Sequence, residues 1–269
     1  LGRRTPWTYN KYQRYMKEGR GQGYGSEYKP WKKISEFSSK QSIKRVPGIK
    51  TNRIHLLSKL ELDHFYLMEW DDSVVDIREH FPILDFVEVM NIAEKLGVTY
   101  PVDKRTSFPK ILTSSFCITK EVDGKEREII RTVRYKNSLS NKRVLKELEI
   151  ERIYYNRLGV DWAIFTEENI PKQLVSNIED IYIYKDLGDL LEYELKKEKL
   201  IKLAQWLKQC VMVEDKPVLD IVTTLGKEFN VNSGVFIYLF KHLLASKQLR
   251  IDLHRPIDMR RSLQDKISD

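Results

Sequence analysis

Cysteine and histidine are scarce in this 269-residue chain: two cysteines, Cys117 and Cys210, lie far apart, and the five histidines are scattered. That excludes a disulfide-stapled scaffold and argues against a zinc site built from clustered thiolates and imidazoles. The two thiols suit a reducing cytoplasm. No apolar run is long enough to span a bilayer, and no signal peptide opens the sequence. The first residue is Leu1 rather than Met, so a preceding segment is expected. A third absence is local. From Lys104 to Lys120 there is no aspartate or glutamate, so this stretch brings no carboxylate to any site.

At 41% hydrophobic residues the chain can bury a core, in one large or two small domains. The net charge of +8 is uneven: residues 1–60 hold 15 basic and 3 acidic residues (+12), the rest 32 and 36 (−4). The positive excess therefore forms a basic N-terminal arm on a near-neutral body. Double-stranded DNA is the expected partner, because Lys and Arg displace condensed counterions from phosphates. Trp7, Tyr9, Tyr12, Tyr15, Tyr24, Tyr28 and Trp31 interleave the basic residues and read either as stacking groups or as structural aromatics. An anionic membrane is a poorer fit, since no amphipathic apolar face accompanies the charge. The stretch KEGRGQGYGSEYKPW (17–31) holds four of the twelve glycines and reads as a loop. It serves either for close approach to a phosphate or as a linker. Candidate DNA contacts here are Arg20, Gln22, Lys29, Lys32, Lys33, Lys44 and Arg45.

Further on, LLSKLELDHFYLMEW (56–70) has apolar residues at helical spacing, with Ser58 as N-cap and Glu61 as its capping-box partner. VVDIREHFPI (74–83) reads as a strand, and a helical segment follows near 84–97. LTSSFCITKEVDGKEREIIRTVRYK (112–136) reads as a β-hairpin turning at Asp123-Gly124. NKRVLKELEIERIYYNRLGV (141–160) is an amphipathic helix capped by Asn141, and Trp162–Phe165 is a short strand. After Pro171 come three helical patterns, near 187–211, 217–229 and 232–247, and then LRIDL (249–253) as a strand. This predicts an α/β domain over 51–170, preceded by the basic arm and Gly-rich loop (1–50). A small all-α, winged-helix-like domain is expected over 171–269. Its last helix, VFIYLFKHLLASK, is too apolar to read base edges and suits protein contact or a structural role.

In order along the chain, KEGRGQGYGSEYKPW, HLLSKLELDHFYLMEWDDSVVDIREHFPIL and VLKELEIERIYYNRLGVDWAIFTEENI resemble the TnsA family. These are endonuclease subunits of heteromeric bacterial cut-and-paste transposases. The resemblance implies a restriction-endonuclease-like domain that nicks the 5′ ends of the element with Mg²⁺, and a winged-helix-like C-terminal domain. Transposon-end DNA, a TnsB-like DDE transposase and a TnsC-like AAA+ ATPase regulator would be its partners. The setting would be the bacterial cytoplasm, at the nucleoid during transposition.

Carried over residue by residue, the family's helix glutamate falls on Glu61 and its later helix acid on Glu151. Its strand aspartate, which precedes a Phe, falls on Ser115 before Phe116. Its Gln-x-Lys falls on Thr132-Val133-Arg134. A serine is a weak neutral ligand for Mg²⁺, which sheds its waters reluctantly, and arginine cannot replace lysine as a compact point charge. Glu121 and Asp123 near the turn lie about 20 Å from Ser115 along an extended strand. The expectation is a degenerate nuclease, with Glu61 as a weak metal ligand at most and Arg134 and Lys136 holding DNA. Glu61 also has a capping role available, and Glu151 reads equally as part of a solvated helix face beside Glu147. Two alternatives stand: an active nuclease with a displaced site using Glu61 and Glu151 with Glu149, Lys136 or a residue from a partner protein, and an unrelated DNA-binding or regulatory protein sharing only the fold.

Overall fold

The computed structural model describes residues 6–36, 44–48, 50–51, 53–191 and 195–263. It divides into two units, Leu1–Ile170 and Pro171–Asp269.

The first unit opens with α1 (Tyr9–Lys17), whose N-cap Thr8 accepts the Lys11 N–H. An antiparallel ribbon follows, β1 (Lys44–Pro47) with β2 (Arg53–Leu56), leading into α2 (Lys59–Trp70). Next come β3 (Val74–Pro82), α3 (Phe86–Lys95) and the hairpin β4 (Thr113–Val122) and β5 (Lys125–Val133). α4 (Lys142–Arg157) and β6 (Asp161–Phe165) complete the unit. The main sheet runs β3-β4-β5-β6, antiparallel except for the parallel β5–β6 pair.

Strand alternation places neighbouring side chains on opposite faces of this sheet. Phe116 packs toward α2, with His64 5.5 Å from it and 4.0 Å from Phe165, ring centre to ring centre. Its neighbour Cys117 packs on the other face, in a core with Ile83, Val89, Ile92, Ile130, Ile150 and Tyr155 from α3, α4 and the strands. Fully burying an aliphatic or aromatic side chain of this kind contributes about 1.5–3 kcal/mol. The hairpin turns on Asp123 (φ 53°) and Gly124 (φ 68°), the left-handed pair that a two-residue reversal requires. Along β4 the first seven residues are buried or nearly so, and the turn end is exposed. The hairpin end carrying Ser114 and Ser115 is therefore the protected one.

The segment that reads as a basic arm packs into this unit where it is described. The Trp7 N–H donates to Asp103 Oδ2 at 3.0 Å, and its indole Nε1 to the Pro109 carbonyl at 2.8 Å. Tyr15, Trp31 and Ile111 form a small core, with Trp7, Tyr12 and Phe86 against it. These aromatics hold their apolar area inside rather than presenting it for stacking. The glycine run also serves the fold: at Gly21 (φ 75°), a Cβ would stand 2.3 Å from Pro82 Cγ. The loop backbone thus lies directly on the end of β3.

The second unit contains α5 (Lys172–Tyr182), the single turn α6 (Gly188–Leu191), α7 (Lys197–Val213), α8 (Val218–Glu228) and α9 (Ser233–Ala245). α9 is its centre: Val235, Phe236, Leu239, Phe240, Leu243 and Leu244 are all buried. Pro171 is the N-cap of α5, a helix absent from the three helical patterns expected after it. The expected strand LRIDL is not one. Leu249, Ile251 and Leu253 do alternate inward, but the Asn177 amide takes the Leu253 and Arg255 carbonyls, and only Ile251 carries an isolated bridge. Among the described residues no helix is long and apolar enough to cross a membrane.

Candidate functional site

Glu61 stands in the first turn of α2, held by the local logic of that helix start. Its N–H donates to Ser58 Oγ at 3.1 Å, and its Oε2 accepts the Leu57 N–H at 2.6 Å. The carboxyl is buried, and burial raises its pKa against the opposing pull of the Leu57 N–H, Lys32 and Arg134.

The main-chain pairing of β4 with β5 runs from Val122↔Lys125 to Phe116↔Arg131. One residue beyond, the Ser115 hydroxyl accepts the Val133 N–H at 2.9 Å, so it is engaged by the backbone. Ser114 donates to Glu151 Oε2 at 3.0 Å, with Tyr155 Oη 3.2 Å away. Thr132 donates to that same oxygen at 2.7 Å and receives the Trp162 indole N–H at 3.3 Å. Glu151, 2% exposed, is thereby the hub of a buried hydroxyl network rather than part of a solvated face. Burial raises its pKa, while Arg134 and the hydroxyl bonds lower it. Ser114 and Tyr155 are members that the sequence does not single out. Position beside Ser115 and a helical turn beyond Glu151 are their only signals.

Two cations complete the cluster. Arg134, half-buried, is fixed by its N–H to the Phe165 carbonyl at 2.9 Å and by its guanidinium to the Val133 carbonyl at 2.8 Å. Lys32 Nζ donates to Thr113 Oγ1, the residue just before Ser114. Burial and the like charge of Arg134 lower the Lys32 pKa, and Glu61, Glu151 and Glu147 raise it. Glu151, Thr132 and Ser114 are thus joined by hydrogen bonds, with Ser115 on the adjoining Val133 N–H, and the charges of Arg134 and of Lys32, from the N-terminal loop, act on both Glu61 and Glu151.

Lys136 does not share the Arg134 face. β5 ends at Val133, Lys136 begins a 3₁₀ turn, and its ammonium pairs with Glu168 at the surface. Glu149 pairs with Arg152 on the exposed side of α4. Of the other basic candidates, Arg20 is 5% exposed, its guanidinium bonded to Glu18, Glu36 and the Trp31 carbonyl and 3.5 Å over the Tyr15 ring. It supports the loop. Gln22 and Lys29 are exposed, and Lys33 is half-buried. The side chains of Lys44 and Arg45 lie outside the described residues.

A divalent ion of the Mg²⁺ type wants several converging oxygens, carboxylates foremost. Among the described residues no group of three His, Cys, Asp or Glu side chains is arranged to hold a metal. The donors at the expected place are spent: Ser115 on a backbone N–H, Thr132 and Ser114 on Glu151, and one Glu61 oxygen on Leu57. The residues present do not fit the ion.

The chain matches two family models, TnsA-like endonuclease N terminal over residues 71–167 and TnsA endonuclease C terminal over residues 169–253. It is 30% identical over 243 residues to the transposon Tn7 transposition protein TnsA of Escherichia coli, covering 90% of this chain and 85% of that protein. With both halves matched in order and most of the length aligned, this chain belongs to the TnsA family of transposition endonuclease subunits.

Proposed function

We propose that this protein is a TnsA-type subunit of a heteromeric DNA transposition machine whose 5′-end endonuclease site has degenerated. Its first unit is a restriction-endonuclease-like domain that holds transposon-end DNA. Its second is a winged-helix-like domain that contacts protein. A TnsB-like DDE transposase and a TnsC-like AAA+ ATPase are the partners, and the place of work is the bacterial nucleoid. The observation that carries this reading is the replacement of an acid by Ser115, whose hydroxyl is already bonded to Val133 N–H. A metal-dependent nuclease relies on carboxylates to hold the ion that polarises the phosphate and lowers the pKa of the attacking water. Here the hairpin gives only hydroxyls and a guanidinium. Arg134 remains suited to a phosphate, since its planar fork binds two oxygens at once.

Without 5′ cleavage, joining of the 3′ ends leaves the donor attached, and replication then yields cointegrates. Sequencing transposition products from cells carrying this protein with its transposase and regulator tests the reading. Cointegrates are expected; simple insertions alone would contradict it. The displaced-site alternative has weaker support, because Lys136 and Glu149 are both paired at the surface away from Glu61.

A further inference from the structure

We propose that the Lys32 ammonium is a built-in cation standing where a nuclease site would hold its metal, and that with Arg134 it grips a DNA backbone phosphate without any divalent ion. The inference rests on the degenerate-site reading above and deepens it.

Three placements carry it. Lys32 follows Trp31, which is 4% exposed in the core of the N-terminal segment, so its backbone is anchored. Its ammonium reaches the first residue of β4, bonding Thr113 Oγ1 next to the Ser114–Glu151 bond. Its charge acts on Glu61 and Glu151 together, the two carboxylates left in the cluster, and on Arg134 beside them. A loop cation bonded to the first residue of the strand that lacks an acid, with its charge acting on both surviving acids, occupies the electrostatic role of an ion. The pair Lys32 and Arg134 carries two positive charges, the formal charge of a divalent ion, and side-chain cations of this kind bind phosphate directly. The Lys32 side chain is partly exposed while its ammonium is turned inward onto Thr113, so a phosphate would have to enter the cluster to meet it.

One consequence is specific. Restoring the missing acid and lysine, Ser115→Asp with Arg134→Lys, should leave metal binding poor while Lys32 remains. Adding Lys32→Met should open the site. The test is calorimetric titration of Mn²⁺ into the full-length wild type, the double variant and the triple variant. It is paired with binding of a double-stranded DNA oligonucleotide in EDTA over a salt series.

The expected results are no Mn²⁺ binding by wild type and at least about tenfold tighter binding by the triple than by the double variant. In EDTA, Lys32→Met alone should weaken DNA binding severalfold and reduce the salt slope by about one phosphate contact. Lys32→Arg should retain that slope, which separates loss of charge from loss of fold. Equal Mn²⁺ affinity in the double and triple variants, or an unchanged salt slope in Lys32→Met, would overturn the role of Lys32 and leave the degenerate-site reading standing. Mn²⁺ binding by wild type that disappears in Glu61→Gln would instead overturn that reading itself.

Discussion

Two clusters of buried charge lie along the same sheet and are built in opposite ways. Toward the middle of β3, Asp76 and Arg78 pair directly at 2.9 Å, Arg78 also pairs with Glu128, and Asp76 Oδ1 accepts the Gly25 N–H. Carboxylate meets guanidinium, and the pairing pins the glycine loop to the strand. At the protected end of the hairpin, Glu151 is satisfied by hydroxyls and Glu61 by a backbone N–H, with Lys32 and Arg134 nearby. The first cluster is closed by ion pairs and has no cation to spare. The second holds its acids through neutral donors, and its cations bond a hydroxyl and a carbonyl rather than a carboxylate. The contrast lies in what satisfies each carboxylate, not in burial, which is common to both; on the proposed function the first cluster is structural and the second binds DNA.

The sharpest way to break that contrast is at the ion pair. Arg78→Met would strand Asp76, which is 0% exposed. Removing one partner of a buried pair costs about 3–5 kcal/mol. Urea denaturation should show a loss of that order; a loss under about 1 kcal/mol would mean the pair carries little of the fold.

Next comes the hydroxyl network. Thr132→Val keeps the shape and removes the donor to Glu151. Leaving a buried acceptor short of a partner costs about 1–3 kcal/mol. The same denaturation measurement checks it, and the cost should shrink in acid, since burial already favours the protonated Glu151. An undiminished cost at low pH would mean that packing, not the hydrogen bond, is what the substitution removes.

A third prediction concerns Glu79, between the two clusters on β3. Burial pushes its pKa from 4.5 to about 8, although its Oε1 accepts the His55 N–H. An acid whose folded pKa is raised holds its proton in the folded state, so stability falls as pH climbs from the unfolded value toward the folded one. Between pH 6.5 and 8 the slope from this one group is at most about 1.4 kcal/mol per pH unit. His64 and His80, both pushed down to about 3 by burial, act in the opposite sense and only below their ordinary value of 6.5. Glu79→Gln should therefore flatten the decline above pH 6.5. An unchanged slope would place its origin elsewhere.

The smallest effect is expected at Lys136. Its pair with Glu168 is exposed on both sides, and such pairs contribute up to about 1 kcal/mol. Lys136→Ala should leave thermal stability nearly unchanged. A large loss would mean that the turn after β5 depends on it.

Much of the first unit is legible in the sequence because short-range chemistry determines it. Asp123-Gly124 dictates the turn, Ser58 and Asn141 cap their helices, and VVDIREHFP forms the strand it reads as, ending at Pro82. The five site positions come from the family resemblance; in the structure Thr132 bonds Glu151, Ser115 bonds the neighbouring Val133 N–H, and the Arg134 charge acts on both Glu61 and Glu151. What the sequence conceals depends on distant partners. Lys32 reaches Thr113 across 81 positions, and Trp7 reaches Pro109 across 102, so neither the cation of the site nor the packing of the arm shows as a local pattern. LRIDL misleads for the same reason, since its alternation is real while its last carbonyl, that of Leu253, goes to the Asn177 amide 76 positions away. Lys136 misleads because β5 ends at Val133, so the strand alternation that would set it beside Arg134 does not reach it.

The most direct measurement is strand-specific mapping of 5′-end nicks. The full-length protein is mixed with its transposon-end DNA, its transposase and ATPase partners, and Mg²⁺ or Mn²⁺. A closed, hydroxyl-lined site predicts an assembled complex with no 5′ nicks in either metal. Nicks that vanish with Glu61→Ala would contradict it and show that the carboxylates left at Glu61 and Glu151 still suffice for cleavage.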